Sequence, residues 1–460
     1  MEREIQPDLK SRQADEVLLL PPTGLSRSKS SGPVVENPAL DRVISALGRL
    51  EAWIEAEAFK GWDPHDALNS PFLRWAGKQR LIGIGLLQLL RRSSLNMRPL
   101  LGIRKGYNPK AMGLFLAAYA QKYAATGWQQ YLERTRYFFN WLVEHASPGY
   151  AGPCWGYNFD WPNRSFLAPA GTPTIVNSAF IGLAFLCSDS VSRTRPARSG
   201  AVPPGEFRAA QEEEGWAATS GLRVARETCE FILHNLHILR PNAAEICFSY
   251  TPLDCRYVHN SNLLGAWLLA AVYARTNEQH LADAALAAAR FTAQRQRSDG
   301  SWTYGIAGRD GWVDNFHTGY VLVALNRIAN YLNTSEFESG LRAGYQFWKT
   351  RMFESGVIPK YYADRTYPID IHSVSQAILT FIEFSDVDSE AGDRAARVAL
   401  WAIQNMQDPK GFFHYQLRRS FRIGIPYMRW SQAWMQQALL GLCSGQWLTG
   451  FEVQTHANLG

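Results

Sequence analysis

Two histidines and three aspartates carry most of the acid–base potential of this 460-residue chain. Asp314 precedes His317 by three residues, Asp370 precedes His372 by two, and each histidine is followed by a hydroxyl residue, Thr318 or Ser373. An imidazole near neutrality can take or give a proton, or position a hydroxyl or carboxylate. Asp314 and Asp370 fit two roles: a helix N-cap, worth roughly 0.5–2 kcal/mol, or half of a carboxyl pair that cleaves an acetal as acid and base. Asp160 stands between Phe159 and Trp161 in a Gly/Pro-rich loop, an apolar setting that would raise its pKa toward that of a general acid. Asp254 and Asp310 are further acidic candidates. Around these fall Trp155, Tyr157, Trp161, Tyr250, Tyr304, Trp312, Tyr362 and Trp430, interleaved with Asn177, His259, Asn260, Asn262 and Arg429. Aromatic faces with amides and imidazoles between them suit a ligand that presents both C–H faces and hydroxyls. Arg429 would clamp a carboxylate or phosphate bidentately, or else form an outward salt bridge. His259, His317 and His372 could meet at a metal, but their spacing is too long to be diagnostic, and no metal or cofactor is expected.

These residues recur in register, which points to the elements that hold them. The stretch Ser298–Leu325 has an aromatic turn (Trp302, Tyr304), a polar loop, and a helix opening at Asp314-Asn315. The same grammar runs from Cys154–Tyr157 to Asn177-Ser178 and from Cys247–Tyr250 to Asn260-Ser261. It returns from Pro359–Tyr362 to His372-Ser373 and from Phe412–Tyr415 to Trp430-Ser431. From Asn260 the column advances by 57, 55 and 58 residues to His317, His372 and Trp430. This is a degenerate helical-hairpin repeat.

Apolar helices are expected to begin near 109, 174, 260, 314, 370 and 428, and amphipathic ones near 128, 217, 278, 336 and 389. A helix over 39–57 would supply the sixth amphipathic member by packing beside the C-terminal one. The pattern closes as an all-α toroid of six helical hairpins, (α/α)6, with short β-hairpin or loop excursions before the inner helices. The domain is expected over 39–460, after a disordered or extended lead-in over 1–38. A flexible insertion at 189–216 stretches one step, Asn177 to Asn260, to 83 residues. The helix over Lys78–Arg92 is left over as a decoration. In such a ring the inner helices aim their N-termini, and hence their dipoles and free N–H groups, at one mouth, where the aromatic turns also gather.

This repeat resembles the six-hairpin toroids of carbohydrate-active enzymes: glycosidases, unsaturated-uronyl hydrolases, polysaccharide lyases and sugar epimerases. The resemblance covers most of the chain after residue 39 and implies a saccharide ligand. CWGYNFDW followed by APAGTPTIVNSAF also resembles segments of uncharacterised bacterial proteins associated with polysaccharide gene clusters. Gln296-x-x-x-Gly300-x-Trp302, with a weaker echo at Gln407-x-x-x-Gly411-x-Phe413, is similar to the repeat motif of triterpene cyclases. There it ties an outer helix to the next turn, so it implies a toroid and not a reaction; the acidic motif of cyclases is absent.

Composition bounds the alternatives. With 46% hydrophobic and 13% aromatic residues the chain can bury a large core. A net charge of +6, with dipeptides such as Arg91-Arg92 and Arg418-Arg419 scattered, reads as a solvated basic surface and not as a nucleic-acid tail. The six cysteines show no metal or disulfide spacing and read as buried free thiols of a reducing compartment. No secretory segment or membrane span is recognised, so a cytoplasmic location is expected. Oligomeric state is open. Three functions stand: processing of a saccharide, uronic acid-containing ones included, by hydrolysis, elimination or epimerisation; non-catalytic sugar binding or scaffolding; and isoprenoid chemistry of the cyclase or prenyltransferase type.

Overall fold

A helix that is apolar around its whole circumference must be buried on every side, and such helices form the inner ring. They are Pro109–Thr126, Ile175–Arg193, His259–Thr276, Asn315–Tyr331, Ile371–Glu383 and Ala433–Ser444, the last entered through a π-turn at Met428–Gln432. Each packs on the next and the last packs on the first. The structure, a computed structural model, describes residues 38–75, 79–162, 167–193 and 220–444. The outer helices are Gln129–Glu144, Gly221–Asn235, Gln279–Ala293, Glu338–Arg351 and Ala391–Met406, with Pro38–Ala56 as the sixth, lying against the last inner helix as expected. The fold is the expected (α/α)6 toroid. Apart from Pro38 the N-terminal lead-in lies outside the described residues, as do positions 194–216 of the insertion; 189–193 belong to the second inner helix.

The two Gln-x-x-x-Gly motifs are the ties between outer helices. Gln296 Nε2 donates to Gly300 O and to Gly340 O of the next outer helix, both at 2.8 Å. Gln407 Nε2 donates to Gly411 O and to Ala46 O, both at 2.9 Å, so the second tie joins the two ends of the chain. Gly411 has φ +105°, and a Cβ there would lie 2.2 Å from Arg49 O. Gly411→Ala is therefore expected to cost about 1–3 kcal/mol in urea unfolding. Gly127→Ala, left-handed but in open space, should lose less; equal losses would mean that closure places no demand on Gly411.

Polar residues at the inner-helix starts anchor the outer helix that follows each in the chain. Asn262 accepts from Phe248 N (3.1 Å) and donates to Ala288 O (2.8 Å). Asn315 donates to Met352 O and accepts from the Trp348 indole, both at 2.9 Å. Short antiparallel strand pairs precede four inner helices: Trp161–Pro162 with Leu167–Ala168, and those within 238–248, 353–359 and 416–423. The last adds Ile369–Asp370 as a third strand, setting Asp370 opposite Gln416. Of the six cysteines, all free, Cys154, Cys187, Cys229 and Cys247 are buried and Cys443 is half-buried; Cys255, expected inside, is exposed. No helix among the described residues is long and apolar enough to cross a membrane.

Candidate functional site

The N-terminal ends of the six inner helices meet at one cavity of about 900 Å³, at the upper end of the ~300–1,000 Å³ range of ligand pockets. Each inner helix contributes a residue near its start: Lys110, Val176, Asn260, Phe316, His372 and Trp430. Above them stand the aromatic turns. Tyr157 stacks on Phe159 (centroids 5.1 Å), Trp161 leans on Tyr250 (5.4 Å), and Tyr304 stacks on Trp312 (4.5 Å). Tyr361 and Tyr362 close the next sector at 4.7 Å, and His372 stacks on Trp430 at 4.6 Å. Of the expected binding residues, Tyr157, Trp161, Tyr250, Asn260, Tyr304, Trp312, Tyr362, Arg429 and Trp430 line this cavity, with both His317 and His372. The Asn260 Oδ1 is buried and without a hydrogen-bond partner among the described residues, an acceptor ready for a ligand hydroxyl.

Four expected lining residues stand elsewhere. Trp155 is fully buried, its indole donating to Leu142 O (2.9 Å), because the helix it follows offers a free carbonyl there. Asn177 is fully buried within the ring, Asn262 is spent on the backbone pins described above, and His259 faces Thr292 Oγ1 at 3.4 Å beneath the mouth. Burial, then the charge of Arg295, depresses His259 to about 4. Burial likewise dominates in lowering His65 to about 4 and in holding His372 well below its ordinary value. A histidine kept neutral in the fold binds fewer protons than in the unfolded chain, so stability is lost as pH falls from about 6.5 toward 4. For His259 alone this is ~3 kcal/mol. The melting temperature should drop across that window, and His259→Gln should flatten the drop; an unchanged slope would contradict the assignment.

The acidic candidates lie one layer behind the lining. Asp314 accepts from His317 N (3.0 Å), from the Trp312 indole (3.0 Å) and from His317 Nδ1 (2.7 Å). Asp370 accepts from His372 N (2.9 Å), the Trp430 indole (2.9 Å) and Gln416. Burial raises its carboxyl above the usual range against those donors. Asp160 accepts from Ala170 N (2.8 Å) across its hairpin and does not reach the cavity wall. Asp310 is paired bidentately with Arg256, and Asp254 with the Thr251 hydroxyl and neighbouring backbone. Among the described residues lining the cavity none is Asp or Glu, while seven are basic: Arg91, Arg92, Lys110, Arg256, Arg365, Arg418 and Arg429. No three His, Cys, Asp or Glu side chains converge to hold a metal among the described residues.

Hydrogen bonds assign both cavity histidines. A carboxylate only accepts, so the His317 proton sits on Nδ1 and its Nε2 lone pair is left for the cavity. His372 Nδ1 donates to Trp430 O (3.0 Å), so its Nε2 accepts from the Tyr320 hydroxyl at 2.8 Å. Two proton carriers on adjacent inner helices thus face one basic cavity: an Asp314–His317 pair and a Tyr320–His372 pair.

Several lining residues escape the sequence argument. The helix Arg80–Arg92, expected as a decoration, forms one wall through Leu87, Gln88, Arg91 and Arg92. Arg418 joins it, so residues read as solvated basic surface line the cavity instead. Lys110 lies beneath the mouth, its Nζ 4.3 Å from the Phe180 ring centroid and 5.1 Å from that of Trp434. Burial, then Arg429, holds its pKa well below the ordinary lysine value. Arg429 is buried and clamps Asp63 (2.6 and 2.8 Å), whose carboxylate also accepts from His65. The signal for Lys110 was available: Asn108-Pro109-Lys110 repeats the cap-plus-two spacing of Asp370 and His372.

No protein-family model and no curated protein matches the sequence. Solved structures do match in fold. The chain is similar to an unsaturated glucuronyl hydrolase from Bacillus sp. GL1, at 14% identity and TM-score 0.54, over 89% of this chain and 98% of that one. It is similar to the cellobiose 2-epimerase of Bacillus thermoamylovorans, at 10% identity and TM-score 0.53, over 74% and 90%. A third is the cellobiose 2-epimerase of Spirochaeta thermophila, at 13% and 0.52, over 74% and 86%. All share the six-hairpin toroid, the architecture expected from the repeat.

Proposed function

We propose that this protein is an enzyme that moves a proton at the carbon beside the carboxylate of a uronic acid unit, in a saccharide held in the toroid mouth. The observation that carries this reading is the conjunction of a lining with seven basic residues and, among the described residues, no Asp or Glu, with two oriented proton carriers, His317 and the Tyr320–His372 pair. A uronate brings negative charge, and abstraction of its C5 proton puts more on the carboxylate; a cavity of guanidinium groups and helix N-termini stabilises both. His317 Nε2 takes the C5 proton. In elimination the Tyr320 hydroxyl, oriented by His372, gives its proton to the leaving C4 oxygen and regains one from solvent, while His317 releases the C5 proton to solvent, so that a C4–C5 double bond replaces the C5–H and C4–O bonds. In epimerisation a proton returns to C5 from the opposite face and no bond to oxygen breaks. The toroid is shared by proteins named as a glucuronyl hydrolase and as epimerases, which supports a sugar substrate.

Two-carboxyl hydrolysis needs a pair of carboxyl groups about 5–10 Å apart across the bond, and the described lining supplies neither. Asp314 and Asp370 then act as positioning residues. A hydrocarbon-cyclising cavity is apolar, whereas this one is charged. The free thiols fit a reducing compartment, and we place the reaction in the cytoplasm. The test is incubation with uronate-containing oligosaccharides in D2O. Deuterium at C5 of recovered sugar, or ultraviolet absorbance of an unsaturated product, supports the proposal. New reducing ends with neither signal would sink it in favour of hydrolysis, and binding without turnover would favour a scaffold.

A further inference from the structure

We propose that Arg91, Arg92 and Arg418 form an oxyanion subsite on one wall of the cavity, built for a sulfate or phosphoryl ester on the ligand and separate from the proton-transfer groups. The inference rests on the acidic-saccharide reading and adds a second anionic group to that substrate.

The three guanidinium groups come from two unrelated elements. Arg91 and Arg92 end the helix Arg80–Arg92, while Arg418 follows the short strand Gln416–Leu417. All three line the cavity. Every other arginine of the lining already has a carboxylate: Arg256 has Asp310, Arg365 has Asp364 and Arg429 has Asp63. Arg91, Arg92 and Arg418 form no ion pair among the described residues. The carboxylate that acts on Arg91 and Arg418 from behind is Asp370, and it is saturated by Gln416, the Trp430 indole and His372 N.

Arg91 is held in place: its Nε donates to the Tyr415 hydroxyl at 2.7 Å, and its guanidinium lies 5.8 Å from the Trp430 ring centroid. That leaves its two terminal nitrogens for the cavity. Arg418 Nε is buried and has no hydrogen-bond partner among the described residues, a deficit that a ligand oxygen would fill. Burial, then the neighbouring charges of Arg92 and Arg91, depresses Arg418 in spite of Tyr415 and Asp370.

The end of a helix favours cations, which helps hold Arg91 and Arg92 there, but it does not offset their repulsion with Arg418. A bound anion would. A carboxylate saturates on one arginine fork, whereas a sulfate or phosphoryl ester offers three terminal oxygens, matching forks presented from two sides.

The probes are inorganic sulfate and inorganic phosphate, with chloride at equal ionic strength as the control, read by calorimetric titration and melting temperature. Wild type should bind both oxyanions and not chloride. The double variant Arg92→Gln/Arg418→Gln should lose at least about tenfold in affinity, with its own melting temperature in chloride unchanged or raised, because the repulsion is removed. Undiminished oxyanion binding by the double variant would overturn the subsite, as would oxyanion binding no tighter than chloride in wild type. Paired oligosaccharides separate the sources: a variant defect confined to sulfated chains assigns a sulfate ester, one confined to phosphorylated chains assigns a phosphoryl ester, and equal defects on unsubstituted chains overturn the proposal. His317→Gln should keep oxyanion binding. If the subsite binds while no proton transfer is found in D2O, it is the uronate reaction that fails and not the subsite.

Discussion

His317→Gln is expected to lower kcat on a uronate substrate by roughly 10²–10⁴-fold, the usual worth of a positioned general base, while leaving the melting temperature nearly unchanged. The stability expectation follows from position: the His317 side chain is 22% exposed and lines the cavity, and glutamine is close to it in size, so no enclosed void is opened. Asp314→Asn separates positioning from capping. Asparagine caps a helix about as well as aspartate, so the helix Asn315–Tyr331 should survive. Its amide can donate to Nδ1, which would move the imidazole proton to Nε2 and remove the lone pair that takes the substrate proton. A loss of at least about tenfold in kcat, with KM and stability little changed, is the expected signature. If Asp314→Asn keeps full activity with an inactive His317→Gln, the histidine works without its carboxylate. If His317→Gln is itself active, the base lies elsewhere and the Tyr320–His372 pair becomes the first candidate.

The ring was legible because its two helix types write different patterns. An inner helix such as His259–Thr276 is apolar on every face, whereas Gly221–Asn235 alternates buried Val224 and Cys229 with half-exposed Glu227 and Glu230. The aromatic column was legible for a related reason: Tyr157, Tyr250 and Tyr304 precede successive inner helices at repeat spacing. What could not be read was which members of a column face inward. Trp155 and Tyr157 are two residues apart, yet one is buried under the ring and the other lines the mouth. Asp314 has the same sequence signature whether it caps a helix, orients a histidine or does acid–base chemistry, and only the 2.7 Å contact to Nδ1 separates these roles. The basic wall was invisible because it comes from outside the repeat. Arg91 meets Tyr415 across 324 residues, and Asp63 meets Arg429 across 366; no periodicity connects such partners. Read without them, Arg91-Arg92 and Arg418-Arg419 look like surface charge.

The largest stability effect is expected at the longer of these two connections. Asp63→Asn should destabilise the protein by about 3–5 kcal/mol, because it leaves the buried Arg429 cation without its carboxylate. Burial opposes the charge on Asp63, but Arg429 and the hydrogen bond from His65 outweigh it and hold the carboxyl well below the usual range. The sign follows: a depressed carboxyl stabilises the fold above its unfolded pKa of about 4 and loses that contribution as pH falls further, so the wild-type and Asp63→Asn curves should converge in acid. The pair also sits where the two ends of the chain meet. Gly61 bridges Gly106, Trp62 bridges Tyr427, Arg98 holds the Asp63 carbonyl (3.0 Å), and Asp66 accepts from Asp63 N (2.9 Å) and from Arg98 (2.8 Å). Loss of the pair should therefore loosen ring closure and the mouth together. Replacing both partners with apolar residues of similar size, Asp63→Leu/Arg429→Met, should recover much of the stability, since no lone buried charge remains. Arg429 lies 4.9 Å from the Tyr157 ring centroid and lines the cavity, so the double variant should bind acidic saccharide more weakly even when its melting temperature is restored. Restored stability with unchanged affinity would confine Arg429 to holding the ring shut.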